Sequence, residues 1–293
     1  MKQEEQYFVI EQRQDFEPRH IFECGQCFRW NLEEDQSYTG VFGMNVINVK
    51  KEGQKIVFRG ICQGDIKQIC TEYFDLNTNY GKMKEILKNK DENLRIAIQY
   101  GEGIRILKQD VFETIISFII SANNNIPRIK KIIEKLAMNY GEEIEWNHKK
   151  YATFPTPEQL SKASIQKLRE LGLGFRDKRV YETTEKIVKK QISIEQLQKE
   201  QSTRKIREQL LELPGIGPKV ADCILLFGFQ RYEVFPIDVW VNRVMKELYF
   251  KQQDSSKIET TEIYAFANQQ YGKLAGIAQQ YLFYWKRQET KTA

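Results

Sequence analysis

Hydrophobic positions along this chain follow two different periods. Aromatic and β-branched residues alternate with polar ones over residues 7–10, 37–42, 46–49 and 55–58, and a period of two predicts strands. Lys51-Glu52-Gly53-Gln54 separates the last two runs and reads as a hairpin turn. Segments 65–74 and 82–87 have helical spacing and are expected to cover one face of this antiparallel sheet. From about residue 91 onward the apolar spacing is helical throughout. It runs through 110–122, 126–140, 165–171, 179–189, 204–213, 219–228, 239–249, 261–271 and 274–286. The expected fold is α+β. An antiparallel sheet domain with flanking helices spans residues 1–100, and a larger all-helical domain spans residues 101–293.

One stretch of the helical part has unusual turn chemistry. Leu213-Pro214-Gly215-Ile216-Gly217-Pro218-Lys219 joins two amphipathic helices, giving a helix-hairpin-helix over residues 203–228. Pro214 ends the first helix by disfavouring helical geometry in the residue before it. Gly215 and Gly217 permit positive φ and close approach of another backbone. Pro218 suits the first turn of the next helix, where its missing N–H is no loss. The free amides of such a helix start form an anion site, suited to a nucleic-acid phosphate.

Lys219 and Asp238 add chemistry to that turn. A helix N-terminus and apolar burial both favour the neutral amine of a lysine, the form that attacks carbon. A nearby Asp238 acts in the opposite direction. Cys223 lies four residues after Lys219, on the same helix face. A non-enzymatic DNA-binding hairpin has no need for Lys219 and Asp238 together.

Composition narrows the remaining classes. The 293 residues carry 45 basic and 40 acidic side chains, a net charge of +5, so positive potential must gather on one face if DNA binds. No signal peptide is expected from the first residues, and no apolar run in the sequence reaches membrane-spanning length. The five cysteines are expected to be reduced. Cys24-Gly25-Gln26-Cys27 resembles half of a metal knuckle, but Cys62 and Cys70 lack the spacing of a second half. His20 and His148, the only two histidines, sit in no ligand motif, which argues against histidine acid–base catalysis. No catalytic metal or redox cofactor is expected.

Five segments together resemble the 8-oxoguanine DNA glycosylases, the lysine-bearing, lyase-competent branch of the helix-hairpin-helix, Gly-Pro-Asp superfamily. They are residues 25–30, 118–129, 171–176, the hairpin, and 275–283, in that family's order. No cysteine follows Cys223, so the iron–sulfur loop of endonuclease-III-like relatives is absent. The resemblance implies that duplex DNA containing oxidised guanine is the partner, engaged by a monomer that excises the base and cuts the strand. Lys219 would attack C1′ and Asp238 would stabilise the cationic sugar. Gly25, Phe28, Cys223, Gln279 and Phe283 would receive the flipped lesion. The Gly25 carbonyl would read its N7 hydrogen, Gln279 its Watson–Crick edge, and Cys223 and Phe283 its two faces.

Asn123, Arg128 and Arg176 would contact the widowed cytosine, with Phe175 as a wedge. Gly215, Gly217 and Trp240 would hold phosphates, with a monovalent or hydrated cation at the hairpin backbone. The chain departs from eukaryotic members at Phe175 (usually tyrosine), Trp240 (usually histidine), Cys27 and Pro127. The expected compartment is the nucleoid-bearing cytoplasm of a prokaryote or the nucleus of a eukaryote. A glycosylase for another damaged base, or a non-enzymatic hairpin protein, are the alternatives.

Overall fold

The computed structural model describes residues 4–11, 15–251, 254 and 257–292. The N-terminal sheet is antiparallel, in the order β1-β5-β4-β3-β2. Its strands are β1 (Gln6–Glu11), β2 (Trp30–Leu32), β3 (Tyr38–Phe42), β4 (Asn45–Glu52) and β5 (Lys55–Ile61). Val49 pairs with Tyr38 on one side and Phe58 on the other, so one face collects the apolar side chains of three strands. Ile47, Val49, Ile56 and Phe58 on that face pack with Cys70 and Phe74 around helix α2 (Ile66–Tyr73). Helix α1 (Pro18–Glu23) adds Ile21 and Phe22, and the Phe22 ring stacks on Trp30 at 4.1 Å.

The opposite face has its own cover. Strands β6 (Glu143–Trp146) and β7 (Lys149–Ala152) form a hairpin whose Ile144 and Trp146 pack on Val41, Val46 and Ile61. The sequence reading did not include this hairpin. Each strand is four residues long, too short for a periodicity window. Its turn is nevertheless legible: Asn147 and His148 both have positive φ, the conformation that favours asparagine and matches the twist of a tight hairpin.

Helices α3 (Tyr80–Lys88) and α4 (Glu92–Tyr100) correct a second expectation. Segment 82–87 does not cover the sheet, because α2 already fills that face. Tyr80, Leu87, Leu94, Ala97 and Ile98 instead join the core of the helical body. Arg105 locks this crossover. Its buried guanidinium donates to the carbonyls of Phe74, Asp75 and Thr78, pairs with Asp15 at 3.1 Å, and lies 4.3 Å over the Tyr80 ring.

Helix α5 (Val111–Ser121) buries nearly all of its residues, most of them apolar, and forms the centre of the helical body. Around it lie α6 (Ile126–Tyr140), short α7 (Pro157–Leu160) and α8 (Ile165–Leu168), α9 (Asp177–Val188) and α10 (Ile194–Lys199). Then follow α11 (Thr203–Leu211), α12 (Pro218–Phe227), α13 (Val239–Tyr249), α14 (Thr260–Tyr271) and α15 (Ala275–Thr292). Where α5 meets the sheet domain, burial pushes the Glu113 carboxyl up to about 7, against the pull of the Arg29 guanidinium. Arg29 is itself buried and donates to the Ala152 carbonyl at 2.5 Å.

Candidate active site

The hairpin is built as its glycines and prolines dictate, with one correction. Gly215 has φ +90°, and a side chain there would stand 3.0 Å from Arg179 Cδ and 3.2 Å from Ile119 Cγ2. Gly217 does not adopt positive φ. Its backbone is extended (φ −97°, ψ −179°). Its missing side chain leaves open space instead, with no heavy atom within 4 Å of a Cβ placed there. Gly217 is also the N-cap of α12, and no side chain caps that helix start. The first-turn amides therefore remain available to an anion.

A buried aspartate clamps the hairpin. Asp222 of α12 pairs with Arg207 of α11 and accepts a hydrogen bond from the Tyr264 hydroxyl of α14. Burial raises its carboxyl above the usual range, opposed by the Arg207 charge. Sequence reading missed this residue. Its signal was a lone carboxylate inside the apolar run Val220-Ala221-Asp222-Cys223-Ile224, which requires a partner when buried. The carbonyls of Glu212, Leu213 and Pro214 accept from Lys186 Nζ, Ile216 N and Thr183 Oγ1 at 2.9, 3.1 and 3.0 Å. These three carbonyls of the turn thus each already have one donor.

Beside the hairpin, one pocket gathers Gly25, Lys219, Cys223, Asp238, Gln279 and Phe283. Lys219 Nζ lies 5.5 Å from the centroid of Phe118, which forms a wall. Burial pushes the Cys223 thiol up to about 11, against the pull of the Lys219 ammonium, so it presents a neutral face. Asp238 is the N-cap of α13, accepting from Val241 N at 2.7 Å, and this fixes the carboxylate at the pocket edge. Gln279 is buried, and its Oε1 accepts from Gln280 Nε2 at 2.7 Å. Gln280 thereby orients the amide, a role the sequence reading did not assign.

Gly25 adopts φ +83° in a loop held by a buried glutamine. Gln26 Nε2 donates to the carbonyls of Ile21 and Arg105 at 2.9 and 2.8 Å, while Leu107 N donates to its Oε1 at 2.8 Å. A Cβ at Gly25 would meet Phe283 Cε1 at 3.3 Å. The cavity is only about 50 Å³, little more than a water-sized space, because the Phe283 ring rests against Gly25. Phe28 does not line this pocket. It packs edge-on behind Phe118, with ring centroids 5.5 Å apart, and supports the wall.

A second group of expected residues lies around the end of α5. Asn123 is exposed, with φ +50°. Its neighbours are structural: Asn124 donates to Ile120 O at 3.0 Å, and Asn125 caps α6 by accepting from Arg128 N at 3.0 Å. Phe175 is 56% exposed, unusual for a large apolar ring, and it projects from a turn made by Gly172 and Gly174 at positive φ. Arg128 is exposed and donates to Gly172 O at 3.3 Å. Arg176 is not free. Its buried guanidinium donates to Ala122 O and Asn123 O, at 2.9 Å from Nε and 2.7 Å from Nη2. It braces the Asn123 loop, and a base could be reached only by exchanging these carbonyls. Trp240 also differs from expectation. Its indole nitrogen is buried and has no hydrogen-bond partner among the described residues, so it is not presented to a phosphate.

An open helix-hairpin-helix turn, beside a pocket holding an amine, a carboxylate and a stacking ring, defines the class of base-excision DNA glycosylases. Two family models match the chain. One is the 8-oxoguanine DNA glycosylase, N-terminal domain, over residues 8–115, and the other the HhH-GPD superfamily base excision DNA repair protein over residues 116–267. The chain therefore belongs to the HhH-GPD superfamily, in its 8-oxoguanine DNA glycosylase branch.

Relatives agree. The N-glycosylase/DNA lyase of Saccharomyces cerevisiae is 33% identical over 256 residues, 78% of this chain and 67% of that protein. A probable N-glycosylase/DNA lyase of Methanothermobacter thermautotrophicus is 35% identical, over 66% of this chain and 67% of that one. Clostridium acetobutylicum 8-oxoguanine glycosylase/lyase, solved with duplex DNA containing cytosine opposite 8-oxoguanine, superposes with a TM-score of 0.90 at 38% identity, covering 99% of both chains. No helix among the described residues is long and apolar enough to cross a membrane.

Proposed function

We infer that this protein removes 8-oxoguanine from duplex DNA and then breaks the strand 3′ to the abasic sugar through a Schiff base on Lys219. The observation that carries this is the convergence of Gly25, Lys219, Cys223, Asp238, Gln279 and Phe283 on one pocket beside an open hairpin. A base inside the duplex is inaccessible, so the nucleotide rotates out of the stack. The exposed Asn123, Arg128 and Phe175 fill and flank the gap it leaves. Entry of the purine requires the Phe283 ring to leave Gly25, after which Phe283 and Cys223 lie on opposite faces of the base. 8-Oxoguanine carries a hydrogen on N7, which the Gly25 carbonyl accepts. Guanine has a bare acceptor there and is repelled.

The chemistry follows from the two charged groups. Lys219 attacks C1′ as the neutral amine. The C1′–N9 bond breaks with its electrons leaving on the base, which takes up a proton. Asp238 stabilises the positive charge developing on the sugar and relays protons. Ring opening gives an imine. Loss of a C2′ proton then forms a C2′–C3′ double bond and breaks C3′–O3′, so the strand on the 3′ side leaves with its 5′ phosphate. A hydrated cation would sit on the remaining lone pairs of the hairpin carbonyls and steady the turn against a phosphate.

The test is incubation with a duplex carrying 8-oxoguanine opposite cytosine, with borohydride present. A trapped covalent complex and free 8-oxoguanine are expected. Release of a different damaged base from a lesion panel, with none of 8-oxoguanine, overturns the substrate assignment. Binding without any release overturns the enzyme.

A further inference from the structure

We propose that Arg179 is a DNA phosphate contact seated between the hairpin turn and the Phe175 wedge. The proposal rests on the reading above, that both of these features face DNA. Arg179 lies on α9, four residues after Phe175. Its stem packs on the hairpin: Cδ and Cβ stand 3.0 and 3.2 Å from where a Gly215 Cβ would be. Its guanidinium reaches the other way, 5.3 Å from the centroid of the exposed Phe175 ring. One side chain thus spans the turn that collects phosphates and the ring that enters the helix.

The charge on Arg179 is not committed elsewhere. Neighbouring cations are paired, Lys178 with Glu182 at 3.6 Å and Arg169 with Asp177 at 2.6 Å. Arg176, the second guanidinium over Phe175 at 4.2 Å, donates to carbonyls of the Asn123 loop. Among the described residues no acidic group is ion-paired with Arg179, which is exposed. A phosphate rather than a base edge is the target, because the stem is pinned against the turn whose amides gather phosphates. Phe175 has no hydroxyl with which to hold the backbone, and the fork above its ring supplies donors at that place. Gly215 thereby has two reasons to lack a side chain: its dihedral and the Arg179 stem lying on it.

The experiment measures binding to duplexes with and without a tetrahydrofuran abasic analogue, from about 50 to about 200 mM salt. Arg179→Met keeps an apolar stem against Gly215 and removes the charge. It is expected to lower the slope of log affinity against log salt by about 0.9, the increment of one phosphate contact. The loss should be similar on both duplexes, because a phosphate contact carries no sequence information. Arg179→Gln should show the same loss, and Arg179→Lys should restore the slope. Lys178→Ala, at a paired neighbour, should leave it unchanged. An unchanged slope in Arg179→Met with an unaltered melting temperature overturns the proposal, as does a loss confined to the lesion analogue. Failure of the wild type to release 8-oxoguanine would instead overturn the functional reading.

Discussion

Asp238 has two duties in this structure, and substitution separates them. It caps α13 through Val241 N at 2.7 Å, and it lines the pocket with Lys219. Asparagine caps helices as well as aspartate does, so Asp238→Asn keeps the cap and loses only the charge. Asp238→Ala loses both. A lost cap costs about 1 kcal/mol, which in a protein of this size lowers the melting temperature by roughly 2 °C. A lost electrostatic partner of a charged transition state costs about a hundred- to a thousandfold in rate. Single-turnover excision of 8-oxoguanine should therefore slow by at least about a hundredfold in both variants. Thermal shift should fall only in Asp238→Ala. DNA affinity should be equal or tighter in both, since a negative charge has been removed from a phosphate-binding surface. If Asp238→Asn excises within a few-fold of wild type while Asp238→Ala is slow and unstable, Asp238 is a cap and the charge argument is wrong.

Lys219→Gln should abolish the borohydride-trapped complex while lesion-DNA binding, followed by gel shift, persists. Undiminished trapping would identify another amine as nucleophile. Arg176→Ala should lower the melting temperature, because the part-buried Ala122 and Asn123 carbonyls lose their donor at about 1 kcal/mol each and the Asn123 loop loses its brace. It should also flatten excision across cytosine, thymine, guanine and adenine partners. Phe283→Ala should lower excision on all four pairs about equally, and a changed partner ratio would show that this ring senses the other strand.

Glu113, held up to about 7 by burial, binds its proton more tightly folded than unfolded. Stability from this group is full below the unfolded value of about 4.3 and is lost as pH rises towards 7. Glu113→Gln should remove that slope and raise the melting temperature at pH 8, by at most about 3 kcal/mol of stability. Equal pH profiles for the two proteins would contradict the burial argument.

Much of this site is set by rules that act within a few residues. Pro214 must end a helix, Gly215 alone tolerates φ +90°, and Pro218 restarts the chain as a helix, so the hairpin is written in local sterics. The period of apolar residues likewise determines helices such as α6 and α13, whose bounds coincide with the spacing that announces them.

Properties that depend on distant segments meeting were left to the tertiary structure. Nothing near Gln26 announces that its amide would bridge Ile21, Arg105 and Leu107 and so hold the Gly25 loop. Whether Arg176 faces solvent or two carbonyls, and whether the Trp240 nitrogen is open or buried, depends on neighbours far away in sequence. Segment 82–87 has a face suited to any apolar surface, and the prior occupation of the sheet by α2 sends it to the helical core. Backbone dihedrals and periodicity are properties of the local chain. Burial and hydrogen-bond partnership are properties of the space between elements, and they exist only once those elements have packed.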